Sequence, residues 1–105
     1  MGAQSDPRGQ LDLLLLSAVS SGPAHGYRVI ERLREQSEGA FDLREGTVYP
    51  ALHRLERGGL LESRWEDDLP RRRRIYRLTS QGRGALELRR REWSAFAGAI
   101  EAVIG

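Results

Sequence analysis

The residues best equipped for recognition chemistry lie between Gly46 and Arg57. Pro50, His53, Arg54 and Arg57 project from one side of a helix, with Tyr49 on its flank. Val48, Leu52 and Leu55 fall at i, i+4 and i+7 on the other side. Arginine's planar fork binds guanine or phosphate in bidentate fashion, and His53 and Tyr49 add neutral hydrogen-bonding groups. A short helix with one apolar stripe and such an outer face suits a DNA major groove. An ordinary surface helix with solvated arginines fits the same segment equally well. A second cluster, Arg71-Arg72-Arg73-Arg74, suits phosphate contact, which positions a protein on a duplex without reading its sequence.

Catalytic and metal chemistry find little support. The two histidines, His25 and His53, stand far apart, and there is no cysteine to act as nucleophile or thiolate ligand. The acids show no ligand spacing beyond Asp67-Asp68, which suits a turn better. Neither an enzyme nor a cofactor is expected.

The chain has 105 residues, enough for one domain with a single small core. Every basic residue is arginine, and the formal net charge is only +2. Residues 44–74 hold eight arginines against six acids, and the remainder nine against nine. The basic excess therefore sits with the two clusters rather than spread over the molecule. The longest apolar run, Leu13 to Leu16, is too short for a membrane span or a signal core, so a cytoplasmic protein is expected.

Several elements must position these residues. Residues 1–10 are polar and predict a loose arm. Leu11, Leu14, Leu15 and Ala18 keep helical spacing, and Leu13 and Leu16 make that helix apolar on nearly every side, so it must be enclosed. Ser20-Ser21-Gly22-Pro23 stops it. A second helix runs from near His25 to about Gln36, with Tyr27, Ile30 and Leu33 on one face, and His25 serves locally at its start. In the following loop Phe41 and Leu43 are expected to plug the core. Pro50 places the start of the third helix a few residues earlier, near Gly46, and Gly58-Gly59 ends it.

Leu61 to Glu66 and Arg73 to Thr79 read as a hairpin, with Asp67-Asp68-Leu69-Pro70 as a loop of more than two residues. Leu61, Ser63 and Trp65 share one face of it, and Tyr76 and Leu78 point inward. Thr79 or Ser80 caps a last helix to about Ile104, roughly 36 Å long. Leu86, Trp93 and Ile100 repeat at seven, with Phe96 and Val103 between them, and Arg89 interrupts this seam. So long a helix exceeds what a small domain can cover, which predicts a symmetric homodimer. The fold class expected is mainly α with a small β-hairpin. It comprises a winged helix-turn-helix over residues 11–79 and a C-terminal dimerisation helix over residues 80–105.

Pro23-Ala24-His25-Gly26-Tyr27, Glu45 to Glu56, Gly59-Leu60-Leu61 and Arg73 to Gly82 resemble the PadR family of bacterial transcriptional regulators. The core Gly46-Thr47-x-Tyr49-Pro50-x-Leu52 is the most specific part, and the ending Tyr76-x-Leu78-Thr79-x-x-Gly82 is shared more widely. The resemblance implies a dimeric repressor that binds a pseudo-palindromic operator in double-stranded DNA and is released by a small ligand. It implies that Thr47, Tyr49 and Pro50 open the helix that meets DNA, and that Arg71 to Arg74 form the wing. It also implies that Trp93 lines a flat pocket between subunits, suited to a planar aromatic effector. Together with the residue pattern, the expected DNA contacts are Thr47, Tyr49, Pro50, His53, Arg54 and Arg71 to Arg74. Leu86, Trp93, Phe96, Ile100 and Val103 make the expected dimer and ligand face. No membrane partner is expected. The competing reading is a winged-helix module that docks an acidic protein and has no preference for duplex.

Overall fold

In the computed structural model, which describes residues 7–68 and 70–105, the apolar Leu11–Leu16 segment forms the centre of helix α1 (Pro7–Ser20). Leu15, Leu16, Ala18 and Val19 are buried outright, and Leu11, Leu13 and Leu14 pack on the same core. Neighbours on several sides, α2, α3, β3 and α4, give an all-round apolar helix its enclosure. The helix takes in Pro7 to Gln10, so these residues of the predicted arm are helical; the rest of that arm lies outside the described residues.

After the stop at Ser20–Pro23 comes a short strand, β1 (Ala24–His25), and then α2 (Gly26–Gln36). This helix buries Gly26, Val29, Ile30 and Leu33. Tyr27 instead faces outward, because one helical position beyond Gly26 leaves the buried stripe. In the next loop only Leu43 packs on the core; Phe41 is exposed, so the expected plug is half realised.

Helix α3 (Glu45–Arg57) starts where Pro50 requires it. The Arg44 carbonyl accepts the N–H groups of both Thr47 and Val48, and Pro50 falls in the second turn. Its stripe, Val48, Ala51, Leu52 and Leu55, is buried. The helix ends in a Schellman motif: Leu60 N–H bonds Leu55 C=O and Gly59 N–H bonds Glu56 C=O, each at 3.0 Å. Gly59 takes φ +80°, the left-handed conformation this closure needs.

Strands β2 (Leu61–Asp68) and β3 (Arg71–Leu78) pair antiparallel from Leu61 opposite Leu78 to Asp68 opposite Arg71. The hairpin is therefore longer and its connection shorter than expected. Asp67, Arg71 and Arg72 belong to the ladder, because opposite charges across the strands extend the pairing past the apolar residues. Strand β1 adds to the outer edge of β3, giving the sheet order β1-β3-β2, a third strand too short to carry a sequence pattern. Tyr76, Leu78 and Leu61 close the core from this side.

Helix α4 (Ser80–Ile104) is capped by Thr79, whose hydroxyl accepts the Gly82 N–H at 2.9 Å and donates to Gly59 C=O at 2.7 Å. Its first turns pack on α1 and the sheet, so Leu86 is a core residue of its own chain and not part of an open seam. The helix then leaves the domain, and the molecule reaches 53 Å along its longest axis.

Candidate nucleic-acid interface

Once Val48, Ala51, Leu52 and Leu55 face the core, α3 turns Gly46, Pro50, His53 and Arg57 to the outside at spacings of four, three and four. Thr47 is exposed beside them. Arg57 was absent from the predicted contacts, although that spacing alone identifies it as the basic end of the outer face.

Two predicted contacts sit on opposite flanks. Tyr49 is half-buried, with its ring lying over Gly26; a Cβ at Gly26 would stand 2.5 Å from the ring. Burial, and next Glu45, raise its phenol above the ordinary tyrosine value, while a hydrogen bond to the Tyr27 backbone works the other way. Tyr49 thus binds α3 to α2. Arg54 turns the other way, toward α1. Its guanidinium grips the Asp12 carboxylate in bidentate fashion, Nη2 to Oδ1 at 2.7 Å and Nη1 to Oδ2 at 3.1 Å.

The arginine run divides into different tasks. Arg72 and Arg74 stack on the exposed Trp65 indole, their guanidinium carbons 4.7 and 5.1 Å from its centroid. The sequence places Trp65 on one strand face with Leu61 and Ser63; the register that sets it opposite Arg74 makes it the platform for these cations. Arg72 Nε also donates to Asp67 at 2.8 Å. Arg74 Nε donates to Ser63 Oγ at 2.7 Å, and that hydroxyl donates to Glu56 of α3 at 2.6 Å. This chain of bonds bolts the β2–β3 hairpin to the end of α3. Arg73 Nη1 lies 2.9 Å from His25 Nε2, while His25 Nδ1 faces the Arg28 N–H at 3.2 Å and caps α2. A neutral imidazole has one bare nitrogen, so it accepts from one of these donors, and a protonated ring accepts from neither. Burial, and then the Arg73 charge, hold the His25 pKa below the ordinary histidine value.

Between the wing and the Tyr49 flank of α3 runs a groove of about 740 Å³, lined by Tyr49, His53, Trp65, Arg71 to Arg74 and Tyr76. It brings the predicted arginine cluster beside two of the predicted α3 residues, and separates both from Arg54. Tyr76 carries a buried hydroxyl with no hydrogen-bond partner among the described residues. Among the described residues no group of three His, Cys, Asp or Glu side chains is placed to hold a metal ion, and no helix is long and apolar enough to cross a membrane.

On α4 the predicted face divides as the domain ends. Trp93 is 45% exposed and meets Phe96 with ring centroids 5.8 Å apart. Ile100 is exposed too, Val103 is 85% exposed, and Ile104, not foreseen as part of the face, is 74% exposed.

Comparisons with known proteins agree with this architecture. The chain is 38% identical over 84 residues to the transcriptional regulator Rv3488 of Mycobacterium tuberculosis, a match covering 80% of this chain and 76% of that protein. Its fold matches that of a transcriptional regulator from Clostridium thermocellum, with a TM-score of 0.85 at 28% identity, over 93% of this chain and 96% of the other. It also follows the fold of Bacillus subtilis PadR, solved in complex with operator DNA. There the TM-score is 0.68 at 22% identity, over 74% of this chain and 45% of that one. Residues 15–88 match the model of the transcriptional regulator PadR-like family, so the winged helix described above, from the enclosed α1 to the first turns of α4, places this chain in that family.

Proposed function

We propose that the protein binds operator DNA as a homodimer and represses transcription until a small planar aromatic ligand releases it. The observation that carries this reading is the uncovered outer face of α3, Thr47, Pro50, His53 and Arg57, whose His53 lines one groove with the arginine wing. Such a face fits the major groove, with the wing on flanking phosphates. Arg71 and Arg72, exposed toward the tip, supply the outermost phosphate contacts. Arg73 and Arg74 mainly hold the wing in place. Arg57 reads or neutralises where Arg54, held by Asp12, does not reach freely. Pro50 acts by fixing the helix start.

Trp93, Phe96, Ile100 and Val103 supply the dimer face, and the paired indoles near a two-fold axis supply a flat apolar surface for the effector. A ligand there favours one spacing of the two DNA-binding units and so changes operator affinity, since only differential binding shifts an equilibrium. That Bacillus subtilis PadR was solved on operator DNA supports the DNA half of the reading.

The test is selection of duplexes by the purified protein from its genome, followed by salt titration of the best site. Two half-sites about one helical turn apart and a steep fall of affinity with salt are expected. Binding that ignores salt and duplex form would replace this reading with a protein-docking module. Titration with planar aromatic compounds, followed by tryptophan fluorescence in the native protein and in Trp93→Phe, tests the effector.

A further inference from the structure

We infer that Asp12 is a positioning residue that ties the recognition helix to the long C-terminal helix through one shared carboxylate. The inference rests on the reading of α3 as the DNA-contacting helix. Among the described residues Asp12 is the single buried charged side chain, 4% exposed, on a helix otherwise surrounded by apolar core. Arg54 of α3 grips both its oxygens, and Arg89 Nη2 of α4 stands 3.6 Å from Oδ2. Three helices thus converge on one carboxylate.

Stability alone is a poor account of this arrangement. A buried ion pair gives little over a well-packed apolar group, whereas a fork on a carboxylate fixes direction as well as distance. Arg89 also occupies a seam position, between Leu86 and Trp93, where an apolar residue would continue the pattern. The chain gives up that place to reach Asp12. The predicted contact Arg54 is likewise withdrawn from the outer face of α3. Both departures serve the same node. Whatever shifts α4, a partner helix or a ligand near Trp93, moves Arg89, which lies four residues from Trp93. The carboxylate then passes the displacement to Arg54 and so to the angle at which α3 is presented.

The experiment compares the full-length protein with Arg89→Gln, Arg89→Lys and Asp12→Asn. Residual dipolar couplings report the orientation of α3 against α4, thermal unfolding reports stability, and duplexes differing by one base pair between half-sites report spacing discrimination. Arg89→Gln is expected to stay folded, reorient α3, and lower the affinity ratio between best and off-by-one spacing at least tenfold. Arg89→Lys, which keeps the charge, is expected to restore part of both. Unchanged helix orientation in Arg89→Gln, or affinity losses that merely follow stability, would overturn the inference. If Asp12→Asn does not fold, the two Arg89 variants still decide it. If the native protein prefers no duplex, the DNA reading fails separately. The couplings, which need no DNA, then stand as the measurement that supports or overturns the positioning role.

Discussion

Tyr76 and His25 show how single side chains are spent on holding the wing. The Tyr76 ring seals the core beside Ser63 and Ala24, but its hydroxyl is buried without a partner among the described residues, and burial raises its pKa first of all. An unmade hydrogen bond costs about 1–3 kcal/mol, so removing the hydroxyl is close to free. Tyr76→Phe is therefore expected to match or exceed the native unfolding temperature, and a clear loss would mean that the hydroxyl has a partner in solution. His25 behaves differently, because its native pKa lies below the ordinary 6.5. The unfolded chain then takes up the proton more readily. Stability is complete above 6.5 and is lost as pH falls through the lower native value. Asparagine offers the Arg28 N–H an acceptor and does not titrate. Between about pH 7 and about pH 5, unfolding temperature should drop less in His25→Asn than in the native protein. Equal drops would assign the acid sensitivity to other groups.

At the scale of elements, α4 is aligned by one close approach. A Cβ on Gly82 would stand 2.0 Å from the Leu60 carbonyl oxygen, a backbone atom that cannot step aside, whereas nothing lies within 4 Å of the Cβ position at Gly84. Gly82→Ala is expected to destabilise by about 1–3 kcal/mol or more through overpacking. Gly84→Ala, two residues on in the same helix, should stabilise by roughly 0.5–1 kcal/mol. Chemical denaturation of the pair checks both signs. The elements themselves were legible: spacing, Pro50, Gly58-Gly59 and the Thr79 cap located four helices and a hairpin to within a few residues. Less legible was everything decided between elements. No local pattern announces β1, whose two residues form a strand only because β3 offers an edge. The exposure of Tyr27 and Phe41 and the withdrawal of Arg54 depend on which neighbour packs where. Asp12 gave no signal, since an acid inside a leucine-rich helix gains its meaning from arginines 42 and 77 positions away.

For the whole molecule, the projecting part of α4 sets the terms of assembly. Trp93, Ile100, Val103 and Ile104 lie exposed on a helix that has left its own core, a surface that isolated domains rarely leave uncovered. If a second copy covers it as proposed, Trp93→Ala removes a central aromatic anchor. The loss of such a hot-spot anchor is about 2 kcal/mol or more, which corresponds to a dimer weaker by roughly 30-fold or more. Sedimentation velocity over a concentration series measures this directly. A native protein that remains monomeric throughout would leave the stripe to some other occupant. Operator affinity should fall as dimerisation weakens, because in the proposed complex each copy presents one DNA-contacting helix.

The charge pairs along the wing carry a thermodynamic consequence for the DNA contact proposed for it. Arg72 already holds a carboxylate, Asp67 at 2.8 Å, and Arg73 stands opposite Glu66 in the ladder. Reaching a phosphate is then an exchange of one anion for another, and the carboxylate left behind gathers cations from the buffer. Cations released from the duplex are partly taken back by the protein. The salt slope should accordingly be shallower than a count of the wing arginines implies. Asp67→Asn should strengthen binding at low salt and steepen the slope, by less than the roughly 0.9 that a whole phosphate contact contributes. An unchanged slope would mean that Arg72 keeps Asp67 while the DNA is bound, so that Arg71 alone meets the phosphates at the tip of the wing.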